Sequence, residues 1–260
     1  MDNWQEAGRA WGHRAVDFAY LFEPAATPVY RSVLERVGVG EGTALLDDAC
    51  GAGGASRIAA ERGAVVSAID ASERLLDIAR ARAPLADIRR GDFQHLPWPD
   101  ASFDVVTGFM AFVPWTPGAL AEACRVVRPG GRVAWTFLDR PWETDWLGYL
   151  LALGEYGPPG AGHPPEVSLR FLEDDGAEAF TREAGLQPVE RGAVDFTVEF
   201  ADEEIAWRAM AATGPAWAAI DYSGEERFRE AVLELVREHQ VAGAGIRMRH
   251  RIGYLIARRA

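Results

Sequence analysis

Acids close two apolar runs of this chain, and a third follows a short apolar stretch. Asp47 and Asp48 follow Ala44-Leu45-Leu46 and open onto Ala49-Cys50-Gly51-Ala52-Gly53-Gly54. Asp70 closes Val65-Val66-Ser67-Ala68-Ile69, and Asp92 stands between Gly91 and Phe93. An apolar strand that empties into a glycine turn and then a helix, followed by a second strand ending in an acid set to meet a ribose, is the arrangement of a nucleoside-binding crevice. The charge beside the turn narrows the ligand. A pyrophosphate would sit next to Asp47 and Asp48, and like charges about 4 Å apart cost on the order of 4 kcal/mol at the effective dielectric of a protein surface. A ligand carrying an ammonium and a sulfonium gains from the same acids, so the turn fits S-adenosylmethionine better than NAD.

These acids need a parallel sheet to bring them together. Residues 1–37 carry apolar residues at helical spacing, with Trp4, Trp11, Phe18 and Phe22 the largest, and predict two helices broken near Pro24 and Pro28. Strand and helix patterns then alternate: strand Ala44–Asp48, helix Ala55–Arg62, strand Val65–Ile69, helix Glu73–Arg82, a short strand around Ile88 and strand Phe103–Gly108. A helix over Gly118–Val127 stops at Arg128-Pro129-Gly130-Gly131, and Val133–Leu138 is the fifth strand. Such alternation means βαβ units. Periodicity is lost around Gly157–Pro165. Helix Leu169–Ala184, strand Val189–Phe200, two or three helices within Ala201–Val241 and a last strand Ile252–Ala257 complete the pattern.

The blocks Leu46 to Gly54, Asp70, Gly91-Asp92, Leu96 to Val106 and Glu122 to Arg132 resemble the class I S-adenosylmethionine-dependent methyltransferases, in particular their small-molecule enzymes. Ala49 departs from the pattern, standing where that family usually has a glycine. The resemblance implies a single domain over residues 1–260 with an α/β, Rossmann-like, seven-stranded, mostly parallel sheet whose last strand is antiparallel. The sheet core would take about 29–138, 168–200 and 248–260, and a helical cap 1–28, 139–167 and 201–247. It also implies that Ala49, Gly51 and Gly53 line the methionine part of S-adenosylmethionine, with Asp47 near its ammonium. Asp70, with Ala71 beside it, would meet the ribose, Asp92 and Phe93 the adenine, and Phe109 the floor of the site.

Methyl transfer from a sulfonium needs chiefly the alignment of nucleophile, methyl and sulfur. A poorly acidic acceptor would also want a base with a pKa near working pH, and histidine is the usual choice. His13 on the N-terminal helix and His163 in the Pro/Gly-rich stretch are the catalytic candidates; His95, His239 and His250 lie at less suggestive places. Trp4, Trp11, Trp115, Trp142, Trp146, Trp207 and Trp217 concentrate in the segments that would roof the site. They fit either the core of accessory helices or a cleft for a flat aromatic, polyketide-like or cationic acceptor.

Composition excludes several classes. The net charge is -12 and every Lys/Arg position is Arg, so phosphate contacts along a nucleic acid find no general basic face. The two cysteines, Cys50 and Cys124, suggest neither a metal site nor a disulfide framework. No signal-peptide pattern or membrane-length apolar run is present in the sequence, and the expectation is a cytoplasmic protein, monomeric or homodimeric, of bacterial secondary metabolism. Two alternatives share these motifs: a cyclase or isomerase that keeps the cofactor as scaffold, and a non-catalytic cofactor-binding protein.

Overall fold

The computed structural model describes residues 4–112, 116–159 and 175–260. The N-terminal segment runs through α1 (Trp4–Gly12) and α2 (Ala15–Asp17), a π turn (Phe18–Phe22) and a 3-10 turn (Glu23–Ala26) into α3 (Thr27–Arg36). Pro24 and Pro28 do not break helices as expected: each occupies the first turn of its element, where a missing N–H costs nothing. The break falls instead at His13-Arg14.

The core follows as β1 (Ala44–Asp48), α4 (Gly54–Glu61), β2 (Val65–Asp70), α5 (Glu73–Arg82), β3 (Asp87–Arg90), β4 (Phe103–Gly108), α6 (Pro117–Val126) and β5 (Val127–Leu138). A 3-10 turn (Pro141–Glu143) and α7 (Leu147–Tyr156) come next. Then follow α8 (Gly176–Glu183), β6 (Leu186–Phe200), α9 (Glu203–Met210), α10 (Gly214–Ser223), α11 (Glu225–Arg237), β7 (Gln240–Val241) and β8 (Gly245–Arg259).

The strand order is β3-β2-β1-β4-β5-β8-β6, with β8 antiparallel to both β5 and β6 and the other core pairs parallel. The sheet has eight strands rather than seven, because the two-residue β7 folds back onto the start of β8. The last hairpin is also longer than expected, pairing Leu186 with Arg259 through to Phe200 with Ile246. It therefore rises past Leu138, the end of β5, and carries side chains above the carboxyl edge of the sheet.

Alternation sorts the core onto two faces. Leu46, Val106, Val133, Trp135 and Leu255 pack against α6 and α8. Leu45, Val66, Val105, Ala134 and Ile256 pack against α3 and α4. Each such Leu, Ile or Val, fully buried, contributes about 1.5–3 kcal/mol relative to exposure. A third cluster joins the cap: Leu21, Phe22 and Ala25 meet Trp146, Tyr149 and the helices α9 to α11. Ion pairs Arg208–Asp17 (2.5 Å) and Arg14–Glu225 (2.7 Å) tie the same parts together. No helix among the described residues is long and apolar enough to cross a membrane.

Candidate active site

β1 delivers its two terminal acids to opposite faces. Asp47 points toward α4, where Ser56 Oγ donates to it at 2.5 Å and Thr107 Oγ1 at 3.2 Å. It is only 1% exposed, so the carboxylate has no open side for a direct ammonium contact. Burial raises its pKa to about 6 against the pull of the two hydroxyls. Asp48 faces the other way, in register with Ile69 and Gly108. Both its oxygens are buried and lack a hydrogen-bond partner among the described residues. Burial, then the charges of Asp47, Asp70 and Asp92, push its pKa well above the carboxylate range.

The chain then turns through left-handed backbone at Ala49 (φ 56°), Gly51 (φ 56°) and Gly53 (φ 79°). A glycine suits the second and third positions. Ala49 adopts the same conformation with a Cβ, a strained choice for an L-residue. The turn is pinned from β2: Asp70 Oδ2 accepts the Gly51 N–H at 2.9 Å and Oδ1 the Ser72 N–H at 2.8 Å. The Ala71 N–H also lies against this carboxylate, which has about four lone-pair sites, so it keeps some capacity for a ligand hydroxyl. Burial raises the Asp70 pKa. Asp92 Oδ1 accepts the Gln94 N–H at 2.9 Å, and its Oδ2 lies 2.9 Å from His95 Nδ1. Phe93 is half-buried against the α6 face. The charges of Asp47, Asp70 and Asp92 that raise Asp48, and that of Asp70 which raises Asp47, gather at this turn as a set of acids suited to a cationic nucleoside.

Two residues outside the motifs hold the turn from behind. Glu23, 4% exposed, accepts the N–H groups of Ala52 and Gly54, each at 3.2 Å. Arg82 pairs with Glu23 and donates to the carbonyls of Ala52 (3.0 Å) and Ala19 (2.6 Å). The sequence offered one signal for Arg82, a basic residue closing a helix, and none for Glu23.

The N-terminal segment covers the two turns. A Cβ on Gly8 would fall 2.3 Å from the Ala71 carbonyl oxygen, and one on Gly12 2.3 Å from Ser72 Oγ. Phe18 lies against Gly51 and Tyr30 against Gly54. From these two points a chain of aromatic contacts runs outward. Phe18 stacks with Phe22 (5.7 Å), Phe22 meets Trp146 edge-on (5.9 Å), Trp146 stacks on His250 (4.9 Å), and His250 touches Phe196 (5.2 Å). Tyr30 meets Phe109 edge-on at 4.7 Å, and Phe109 and Phe196 pack on one cluster with Ile252 and Tyr254. Next to Phe109, Met110 is strained (φ 57°) and 45% exposed.

The catalytic candidates fare differently. His13 Nδ1 donates to the Ala10 carbonyl oxygen (2.6 Å), and its Nε2 is buried without a partner among the described residues. It shares a depression with Arg14, Arg74, Asp77 and Ile78, not with Asp47, Asp70 or Phe109. Burial lowers its pKa. His163 and Trp115 lie outside the described residues. His250, passed over in the sequence, sits in the aromatic chain; burial drives its pKa down to about 4, and the Arg251 N–H donates to its Nδ1 at 2.9 Å. The neutral ring therefore carries its proton on Nε2. Trp207 belongs to the accessory core, 2% exposed against Phe228. A separate depression, between Gly38, Thr43, Asp104 and Arg128, lies at the amino edge of the sheet, far from the strand-end acids.

A model of the methyltransferase domain matches residues 46–135. Malonyl-[acyl-carrier protein] O-methyltransferase of Serratia marcescens is 40% identical over 121 residues, covering 44% of this chain and 47% of that protein. The chain thus matches about half the length of that relative. An uncharacterized Mycobacterium tuberculosis protein is 31% identical over 195 residues, 69% of this chain and 71% of its own length. Among solved structures, the [4+2]-cyclase SpnF superimposes with a TM-score of 0.57 at 22% identity, over 91% of this chain and 82% of that one. Geranyl diphosphate methyltransferase in complex with SAM gives 0.53 at 17% identity, over 96% and 91%. At such identities the structural likeness shows the fold. Taken with the strand order, the glycine turn and the domain match, the chain belongs to the class I S-adenosylmethionine-dependent methyltransferases.

Proposed function

We propose that this chain transfers the methyl group of S-adenosylmethionine to a small, flat acceptor held within the aromatic chain that starts and ends on the glycine turn. The contacts from Gly51 through Phe18, Phe22, Trp146, His250 and Phe196, and from Gly54 through Tyr30 to Phe109, carry this reading. A cleft opened between these side chains would have few polar groups and would suit a small ligand better than a polymer. Bound cofactor supplies an activated methyl, and the protein's task is to orient the acceptor and keep water away.

The residues divide that task. Asp70 would accept from the ribose hydroxyls with the lone-pair capacity its backbone bonds leave, Asp92 and Phe93 would hold the adenine, and the Ala49, Gly51 and Gly53 backbone would line the methionine end beside Ala71. Asp47 would act on the ammonium only through an intervening group, because Ser56 and Thr107 occupy it. Among the described residues no histidine near Phe109 has a pKa suited to a base: His250 is held neutral with Nε2 as a donor. Alignment, with an acceptor already acidic enough or nucleophilic enough, is the mechanism this set supports.

The relatives named for malonyl-[acyl-carrier protein] and demethylmenaquinone match over less than half of this chain, and the cap is what sets the acceptor. The test is product analysis with methyl-labelled S-adenosylmethionine and a panel of phenols, quinols and carboxylates. Label in an acceptor supports transfer. A product that is rearranged and unlabelled favours the cyclase reading, for which the SpnF fold is a precedent.

A further inference from the structure

We propose that Glu23 and Arg82 are positioning residues of the cofactor turn, fixing the two peptide groups that flank Ala52 and coupling the seating of the N-terminal segment to cofactor binding. The proposal rests on the reading of that turn as the S-adenosylmethionine site. Glu23 takes the Ala52 N–H and Arg82 takes the Ala52 carbonyl, so the two peptide groups on either side of the Ala52 Cα are held by a pair that is itself joined. The next residue, Gly53, has φ 79° and lies so close to Ala79 of α5 that a Cβ would fall 2.9 Å from its Cα. The turn cannot shift there without disturbing α5. Arg82 also binds the Ala19 carbonyl and lies over the Tyr20 ring (5.1 Å), both in the N-terminal segment. One ion pair therefore bridges cap, turn and α5.

A buried ion pair is weak evidence for stability, since desolvation offsets most of its attraction. Here it does something an apolar pair could not: it satisfies two amide donors and a carbonyl at the turn. Its charge state is also set near neutrality. Burial raises Glu23 to about 7, with Arg82 opposing and Asp47 adding to the rise. The other groups facing Glu23 are the Tyr30 hydroxyl from α3 and the Cys50 thiol from the turn, both of which it pushes up. Above that pH the carboxylate is charged and the grip complete. Below it, Glu23 is protonated, loses the attraction of Arg82 and accepts the amides less well, and the turn loosens.

The experiment is calorimetric titration of S-adenosylhomocysteine into wild type, Glu23→Gln and Arg82→Met between about pH 6 and 8.5, with hydrogen exchange of residues 4–26 followed in parallel. At about pH 8 Glu23→Gln should bind about ten-fold more weakly, the size expected for losing a charge-assisted bond. Wild-type affinity should fall as pH drops through 7, and Glu23→Gln should lack that limb, keeping only the one near 6 that Asp47 contributes. Ligand should slow exchange of residues 4–26 in wild type and much less in either variant. If Glu23→Gln does not fold, Arg82→Met carries the same comparison. Wild-type affinity and pH dependence retained in both variants would overturn the proposal alone. No binding by wild type at any pH would overturn the cofactor reading with it.

Discussion

Gly8 of α1 rests on the Ala71 carbonyl at the end of β2, with space for a hydrogen but not for a methyl: a Cβ there would lie 2.3 Å from the oxygen. Backbone contact this close joins the cap directly to the residue beside Asp70. Replacing Gly8 with Val should lift α1 from the β2 turn. Overpacking of about 1–3 kcal/mol, felt at the cap rather than the sheet, should weaken S-adenosylhomocysteine binding about ten-fold and speed hydrogen exchange over residues 4–12. Unchanged affinity and exchange would mean that α1 is not seated on that turn in solution.

Ala49 offers the opposite case. Its φ of 56° places a side chain in left-handed backbone, which costs roughly 1–2 kcal/mol relative to glycine. Ala49→Gly should stabilise the protein by about 1 kcal/mol after the loss of chain entropy in the unfolded state. In thermal unfolding that is a rise of about 2–4 °C for a chain of this size. A lower Tm would show that the turn relaxes to another conformation around the alanine.

Much of this site is written locally. β1, α5 and β4 have the predicted bounds, and Asp70 and Asp92 stand at strand ends as expected, because apolar alternation and glycine turns are short-range signals. Glu23 and Arg82 were not legible: 59 residues separate them, and nothing near Glu23 in sequence shows that the chain will fold back over the glycine turn. The same holds for Ser56 and Thr107 on Asp47, which are visible only once β1, β4 and α4 are assembled. Trp207 shows the converse. Its type left the accessory core and a cleft both open, and the spacing of α9 and α11 decides for the core by burying it against Phe228. His250 was overlooked because the last hairpin extends beyond its apolar centre, carrying the ring up to Trp146.

Asp48 should show itself in the pH dependence of stability. Its folded-state pKa is raised by burial and by three neighbouring acids, so between the ordinary carboxylate range near 4 and that higher value the folded state binds more protons than the unfolded. The stabilisation this gives is present at low pH and lost as pH rises. Asp48→Asn removes the charge without changing the shape. The variant should be more stable than wild type in denaturant unfolding at about pH 8, by about 1 kcal/mol or more, with the gap closing toward pH 4. A gap independent of pH, or a variant less stable at about pH 8, would mean that Asp48 has a partner that keeps it ionised.

The most direct test of the account is whether the crevice takes a sulfonium nucleoside or a dinucleotide. Titration calorimetry with S-adenosylhomocysteine, S-adenosylmethionine and NAD should give saturable binding for the first two and none for the third, because acids from three strand ends gather at the turn while the basic side chains that reach it among the described residues, Arg82 and Arg90, are taken up by Glu23 and by the Ala52 and Ala71 carbonyls. Asp70→Ala should weaken the nucleoside by roughly 1 to 3 kcal/mol, the loss of hydrogen bonds to buried hydroxyls. Tight NAD binding without a response to either S-adenosyl ligand would contradict the account.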